Sequence, residues 1–279
     1  MKNTYRLLSL ILLLPAGLSA WAETINCTAI TQLPEVIDSQ GVYCLKGNLS
    51  TSITTGNAIE IQANNVTIDL NGFKLGGLGA GDSTNANGVY AFQRKNITIK
   101  NGIVRGFYYG IFLQDISPFT TSSGHVVKNI LADQNTFVGI RVDGLGDTVS
   151  RNAVVDTGGS TLINDAFGIV VVGPESEVLN NKISKTTAQS TDSARGIYLE
   201  SADYSVVRNN TVTDTVSAGP SYAVRIHNST GVFLRDNELN NADYGLYFSN
   251  SSGKYFNNLT FDITTTPFFG GTPVGNNNN

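Results

Sequence analysis

Tyr198 and Glu200 stand two residues apart in one short run, and Arg225 and His227 stand two apart in the corresponding run that follows. A phenol, a carboxylate, a guanidinium and an imidazole so spaced fit proton abstraction next to a sugar carboxylate. Such a reaction needs a cation to neutralise the acid group and a base to take the proton. Arg225 would neutralise, His227 or Tyr198 would be the base, and Glu200 would orient His227. Arg141 and Asp143 repeat the spacing upstream, while Tyr90, Phe112 and Tyr247 add rings. Aromatic faces stack on sugars and arginines grip carboxylates with two bonds, so the set points to a polysaccharide, a uronate among the possibilities.

These residues meet only if stacked strands carry them, and the chain is built of repeats that do so. A small residue followed by an aliphatic one recurs as Ala58-Ile59, Gly88-Val89, Gly110-Ile111, Gly139-Ile140, Gly168-Ile169, Gly196-Ile197, Ala223-Val224 and Gly245-Leu246. Apolar residues then alternate with period two, which specifies strands and leaves no amphipathic helix. A period of about 20–30 residues made of strand pieces defines a solenoid whose turns share one core. Aligning the repeats gives two outward columns. The first reads Glu60, Tyr90, Phe112, Arg141, Val170, Tyr198, Arg225 and Tyr247; the second reads Gln62, Phe92, Gln114, Asp143, Val172, Glu200, His227 and Ser249. Long connections at 76–87, 157–167, 186–195 and 215–222 would wall this face, and 114–124 is an insertion at a different corner.

A second series runs Asn71, Asn101, Asn129, Asn152, Asn181, Asn210, Asn237 and Asn258. Turns about 4.8 Å apart let identical amides bond up a stack, and asparagine tolerates the left-handed backbone of a tight corner. These residues form a structural ladder. The aliphatic residue three places before each fits the first two turns only after a one-residue shift, which a bulge would explain.

The repeat length, the Gly-Ile/Val starts, the asparagine series and the opening NNVTIDLNGFKLGG resemble right-handed parallel β-helix proteins of the pectin-lyase-like superfamily, in the style of its short-repeat, NosD-like members. The resemblance covers roughly residues 56–262 and implies an all-β, single-stranded right-handed solenoid of about eight turns. It does not settle activity, since such scaffolds host lyases, hydrolases, epimerases, adhesins and accessory proteins. The motifs of its best-known enzymes are missing: there is no Asp-Asp pair, and Gly124-His125 is followed by Val126.

The organisation expected is a cleavable signal peptide over 1–22, N-terminal cap strands over 23–55, the β-helix over 56–263 and a flexible tail over 264–279. Lys2 and Arg6, the apolar run Leu7 to Leu14 and Ala20-Trp21-Ala22 carry the signal reading, which implies secretion or a periplasmic location. Cys27 and Cys44, the only cysteines, then suit a disulfide stapling the cap, worth on the order of 3 kcal/mol. A net charge of −4 with 14% charged residues offers no basic face to nucleic acid, and no other segment is apolar enough to embed in a membrane.

No cofactor is expected. Asp133 and Asp156 could share a calcium ion, but Arg105 and Lys185 interleave with them and favour a charge ladder. The leading expectation is polysaccharide or surface-glycan binding on the outward face of the Gly-Ile strands. A lyase or glycoside hydrolase in the same groove, and a purely structural or adhesive solenoid with Glu200 paired to Arg225, stand beside it.

Overall fold

The computed structural model describes residues 26–278, so the expected signal peptide lies outside the described residues. Each turn contributes a strand to each of three parallel sheets. Val138–Asp143, Ala166–Val172, Ala194–Glu200 and Ser221–His227 stack in the first. Thr148–Ser150, Glu177–Leu179 and Val206–Arg208 stack in the second, and Ala153–Gly158, Lys182–Thr187 and Thr211–Val216 in the third. All strand pairings are parallel, and a short 3-10 turn at Leu78–Ala80 is the one helical element among the described residues. No helix there is long and apolar enough to cross a membrane.

Alternation fills the centre. Ile59, Val89, Ile111, Ile140, Ile169, Ile197, Val224 and Leu246 are each 0% exposed and form one continuous column. Burial of such side chains supplies about 1.5–3 kcal/mol apiece. The small residue ahead of them is required by a close approach: a Cβ on Gly196 would lie 2.3 Å from Val212 Cγ1 and 2.7 Å from the Ala223 carbonyl.

The asparagine series divides into two ladders. Lys128 lies opposite Ser150 and Leu131 opposite Ala153, so Ile130, not Asn129, takes the place of Asn152. From Asn152 to Asn258 the side chains point inward and are buried. Asn210 accepts from the backbone N–H and Nδ2 of Asn181 at 2.9 and 3.0 Å, and donates to Val178 O and Asn237 Oδ1. Asn152, Asn181, Asn237 and Asn258 repeat the pattern. Asn71, Asn101 and Asn129 instead occupy the left-handed corner itself, at φ 51°, 58° and 55°, and are only half-buried. In later turns that corner falls to the preceding residue, such as Asn180 or Asn209. The single ladder of eight is therefore corrected, and the switch supplies the one-residue shift.

The coil extends past the expected repeats at both ends. Glu35–Ile37 stacks on Asn57–Ile61, and Cys27 bonds to Cys44 where Thr28–Ile30 pairs with Gly41–Leu45. The flexible tail from 264 is not what forms: Leu259–Phe269 runs on as a strand, with Thr266 opposite Tyr244 and Phe269 opposite Tyr247. Phe268 packs on the core and stacks on Tyr255 at 5.3 Å, giving this segment the apolar alternation that a further rung needs.

Candidate functional site

Both outward columns form in the expected register. Tyr90 lies opposite Phe112, Phe112 opposite Arg141, Arg141 opposite Val170, Val170 opposite Tyr198, Tyr198 opposite Arg225 and Arg225 opposite Tyr247. Asp143, Val172, Glu200 and His227 align beside them. A third outward column was not foreseen. It holds Tyr109, Val138, Phe167, Arg195, Tyr222 and Tyr244, the residue just before each small one.

The rings form a strip along the axis. Tyr109 stacks on Phe112 at 4.4 Å, Phe137 meets Phe167 at 5.5 Å, and Phe167 meets Tyr198 at 5.6 Å. Further on, Tyr222, Tyr244 and Tyr247 lie mutually within 5.1 Å, and Tyr247 stacks on Phe269 at 4.6 Å. Three arginines are set among them. Arg141 lies 5.0 Å from the Phe112 ring, Arg195 4.6 Å from Phe167, and Arg225 5.0 Å from Tyr222 and 5.9 Å from both Tyr198 and Tyr247. Such contacts contribute about 0.5–2 kcal/mol each.

The arginines differ in their partners. Arg141 makes a two-bond pair with Asp143, at 2.8 and 3.1 Å, and Arg195 pairs with Asp165 at 3.1 Å. Arg225 forms no ion pair with any described residue, and its Nε is buried without a partner. Asp143 is 0% exposed; burial pushes its carboxyl up to about 6, while the Arg141 guanidinium limits the rise.

The four residues proposed for catalysis are together, but their bonding differs from the expectation. Tyr198 donates its hydroxyl to Glu200 Oε2 at 2.8 Å, and burial followed by that bond raises its pKa. It is thus held protonated and is a poor base. Glu200 does not orient His227, whose Nδ1 is buried with no partner, and no Glu200–Arg225 pair forms. His227 lies directly opposite Glu200 on the next rung, but the Glu200 carboxylate turns along its own strand to the Tyr198 hydroxyl, which shares its face, rather than across the rung.

Asp133 is opposite Val155 rather than Asp156, and each aspartate has a cation, Arg105 at 3.0 Å and Lys185 at 3.6 Å. Among the described residues, no group of three His, Cys, Asp or Glu side chains is placed to hold a metal ion. His125 is buried, accepts from Ile97 N–H at 3.3 Å, and burial lowers its pKa to about 4. Nearby Asp147 accepts from His125 N–H at 2.8 Å, and burial raises its carboxyl to about 7.

The long loops stack on one another, Thr161 on Asp82 and Gln189 on Asn164. They bring Asp165 to the face, while 76–87 also lines a separate depression with Ser50, Lys74 and Arg105. The insertion 114–124 brings Phe119 against Val138, Val170 and Val172. Around these valines lies a hollow of about 260 Å³ walled by Phe137, Phe167 and Tyr198 and rimmed by Arg141, Asp165, Arg195 and Glu200.

Three stacked parallel sheets around one core define the class of protein, and the family profile described as a right-handed beta helix region matches residues 121–265. The chain belongs to that family. No curated protein sequence matches it. Among solved structures it is similar to the enzymatically active domain of bacteriophage CBA120 tailspike protein 2, at TM-score 0.63 and 16% identity, over 90% of this chain and 41% of that one. The Dettilon tailspike protein follows at TM-score 0.58 and 15% identity, over 88% of this chain and 51% of the other. The A-module of the Azotobacter vinelandii mannuronan C-5 epimerase AlgE6 superposes at TM-score 0.51 and 12% identity, over 91% and 88%. The chain spans about half or less of the tailspikes it matches. At these identities the likeness is one of fold.

Proposed function

We propose that the outward face of the first sheet binds a polysaccharide laid along the solenoid axis. The observation carrying this reading is the strip of rings from Tyr90 to Phe269 with arginines set among them. A solvated structural face has no need of so many half-buried rings, and ring faces with adjacent charged groups suit the C–H and hydroxyl sides of sugars. Arg225, with no carboxylate of its own, is the position for an acidic substituent on the chain. Tyr90 and Tyr247 serve as stacking positions, whereas the buried Phe112 backs Tyr90 and Tyr109, and Arg141 and Asp143 support the face through their mutual pair. The fold is one that a mannuronan epimerase module also uses, so a solenoid of this build is compatible with such a ligand. The Cys27–Cys44 disulfide fits an exported protein.

Binding alone is favoured over cleavage, because the strip lacks a poised base: Tyr198 donates to Glu200, and His227 has no orienting carboxylate. The test is a polysaccharide array probed with the parent and the Arg225→Ala/His227→Ala double variant, each hit followed by absorbance for unsaturated products and by a reducing-end assay. The reading expects retention by the parent, loss in the variant and no product. Equal retention by both would move binding off this face, and product formation would make the protein an enzyme.

A further inference from the structure

We propose that the hollow over Val170 and Val172 is a subsite for one neutral sugar ring, presented as a chain end or a side branch. The proposal rests on the polysaccharide reading above. Neighbouring rungs place Phe112, Arg141, Tyr198 and Arg225 in the first outward column; only at Ala166–Val172 do both outward columns hold valine. The larger side chains on either side stand above this floor and leave about 260 Å³ between them. Sites for drug-sized ligands run from about 300 to 1,000 Å³, so this one has room for a single ring and not for a strand passing through.

Charge chooses the kind of sugar. Every ionic group on the rim is already engaged: Arg141 by Asp143, Arg195 by Asp165 and Glu200 by the Tyr198 hydroxyl. An ionised ring would have to open one of these pairs in a partly desolvated place, which is costly. Two acceptors remain open, since no described residue bonds Asp165 Oδ2 or Glu200 Oε1. Sugar hydroxyls donate to such oxygens, while the ring's C–H face rests on Phe137, Phe167 and Tyr198, the rings packed against the buried valines beneath. The hollow thus takes a neutral, hydroxyl-rich ring, in contrast to the acidic position at Arg225.

The experiment is calorimetric titration with two probes of one backbone, linear mannohexaose and a mannan oligosaccharide of equal length with one galactosyl branch, supported by a printed panel of neutral and uronate chain ends. Val170→Phe fills the hollow with a residue type that the same column carries at Phe112. Asp165→Asn keeps Oδ1, the acceptor for Ser193 N–H, and replaces the open oxygen with an amide donor. The parent should prefer neutral to uronate chain ends on the panel by about tenfold, and a ring that enters as a branch should add the same preference for the branched over the linear mannan chain. Val170→Phe should abolish this preference, and Asp165→Asn, which keeps a hydrogen bond to Arg195 but loses the charge of the pair, should lower it severalfold in a chain that still folds. If Val170→Phe does not fold, the Asp165→Asn result decides. Equal binding of all chains by the parent, an unchanged preference in the folded variants, or selection of uronate ends would overturn the subsite while leaving the polysaccharide reading in place. No retention of any glycan would remove both.

Discussion

Arg141 and Arg225 stand in one outward column of the same sheet, separated by Val170 and Tyr198, and their surroundings differ. Arg141 holds the buried Asp143 through two bonds, in a region where the rim charges are paired. Arg225 has no carboxylate and lies among the rings of Tyr198, Tyr222 and Tyr247. The residue two places on, which shares the face, decides it: Asp143 offers Arg141 a carboxylate, and His227 offers Arg225 none. One part of the face is therefore self-contained and serves as support, and the other has valence left for a ligand.

The largest effect should come from breaking the closed region. Arg141→Ala leaves Asp143 buried without its cation and should cost about 3 kcal/mol in denaturant unfolding at pH 8. The loss should shrink near pH 4, where Asp143 is protonated, since its carboxyl already sits near 6. An equal loss at both pH values would mean that the pair is not what Arg141 supplies. Arg225→Ala breaks no ion pair; it loses three ring contacts but also removes a buried Nε without a partner. It should therefore cost about 1–2 kcal/mol in unfolding, less than Arg141→Ala, yet weaken retention of an acidic polysaccharide roughly tenfold, or about 1.4 kcal/mol. A large stability loss there would erase the contrast between the two arginines.

Asp147→Asn sharpens the comparison through pH. The folded chain raises this carboxyl to about 7, so it keeps a proton that the unfolded chain loses near pH 4. The stability linked to that proton is full below pH 4 and declines as pH rises through 7. Asparagine mimics the protonated form, so the variant should gain at least about 1 kcal/mol on the parent at pH 8 relative to pH 4. His125, lowered to about 4, acts with the opposite sign between pH 4 and 6.5 and is unchanged in both proteins. A pH-independent difference would contradict the burial of Asp147. The smallest effect is expected of Tyr198→Phe, which removes one hydrogen bond and should cost about 0.5–1 kcal/mol with sugar binding within about twofold. Abolished binding would give the phenol a direct role.

The outward columns were legible because period-two alternation fixes which side chains face out, and each repeat carries its own aliphatic marker at Ile111, Ile140 or Ile197. The column containing Phe167, Arg195 and Tyr222 was not, because the small residue and the aliphatic after it both turn inward and interrupt the alternation. A run of large residues just before each small one was the available signal. The ladder switch at Asn129 was hidden because asparagine suits both the left-handed corner and the inward site beside it. Partner choice was not legible either: whether Glu200 meets Tyr198 or His227 depends on side-chain direction within a rung, which spacing along the chain does not encode.

The account turns on the aromatic strip, and the most direct measurement is affinity for a retained polysaccharide in the parent, the Tyr222→Ala/Tyr247→Ala variant and Tyr204→Ala. Tyr204 is 67% exposed but lies outside the first sheet, so it controls for exposed aromatic surface in general. The account predicts a loss of at least about tenfold in the double variant, roughly 1–3 kcal/mol from the lost rings, with Tyr204→Ala unchanged. A double variant that binds like the parent, or an equal loss in Tyr204→Ala, would contradict it.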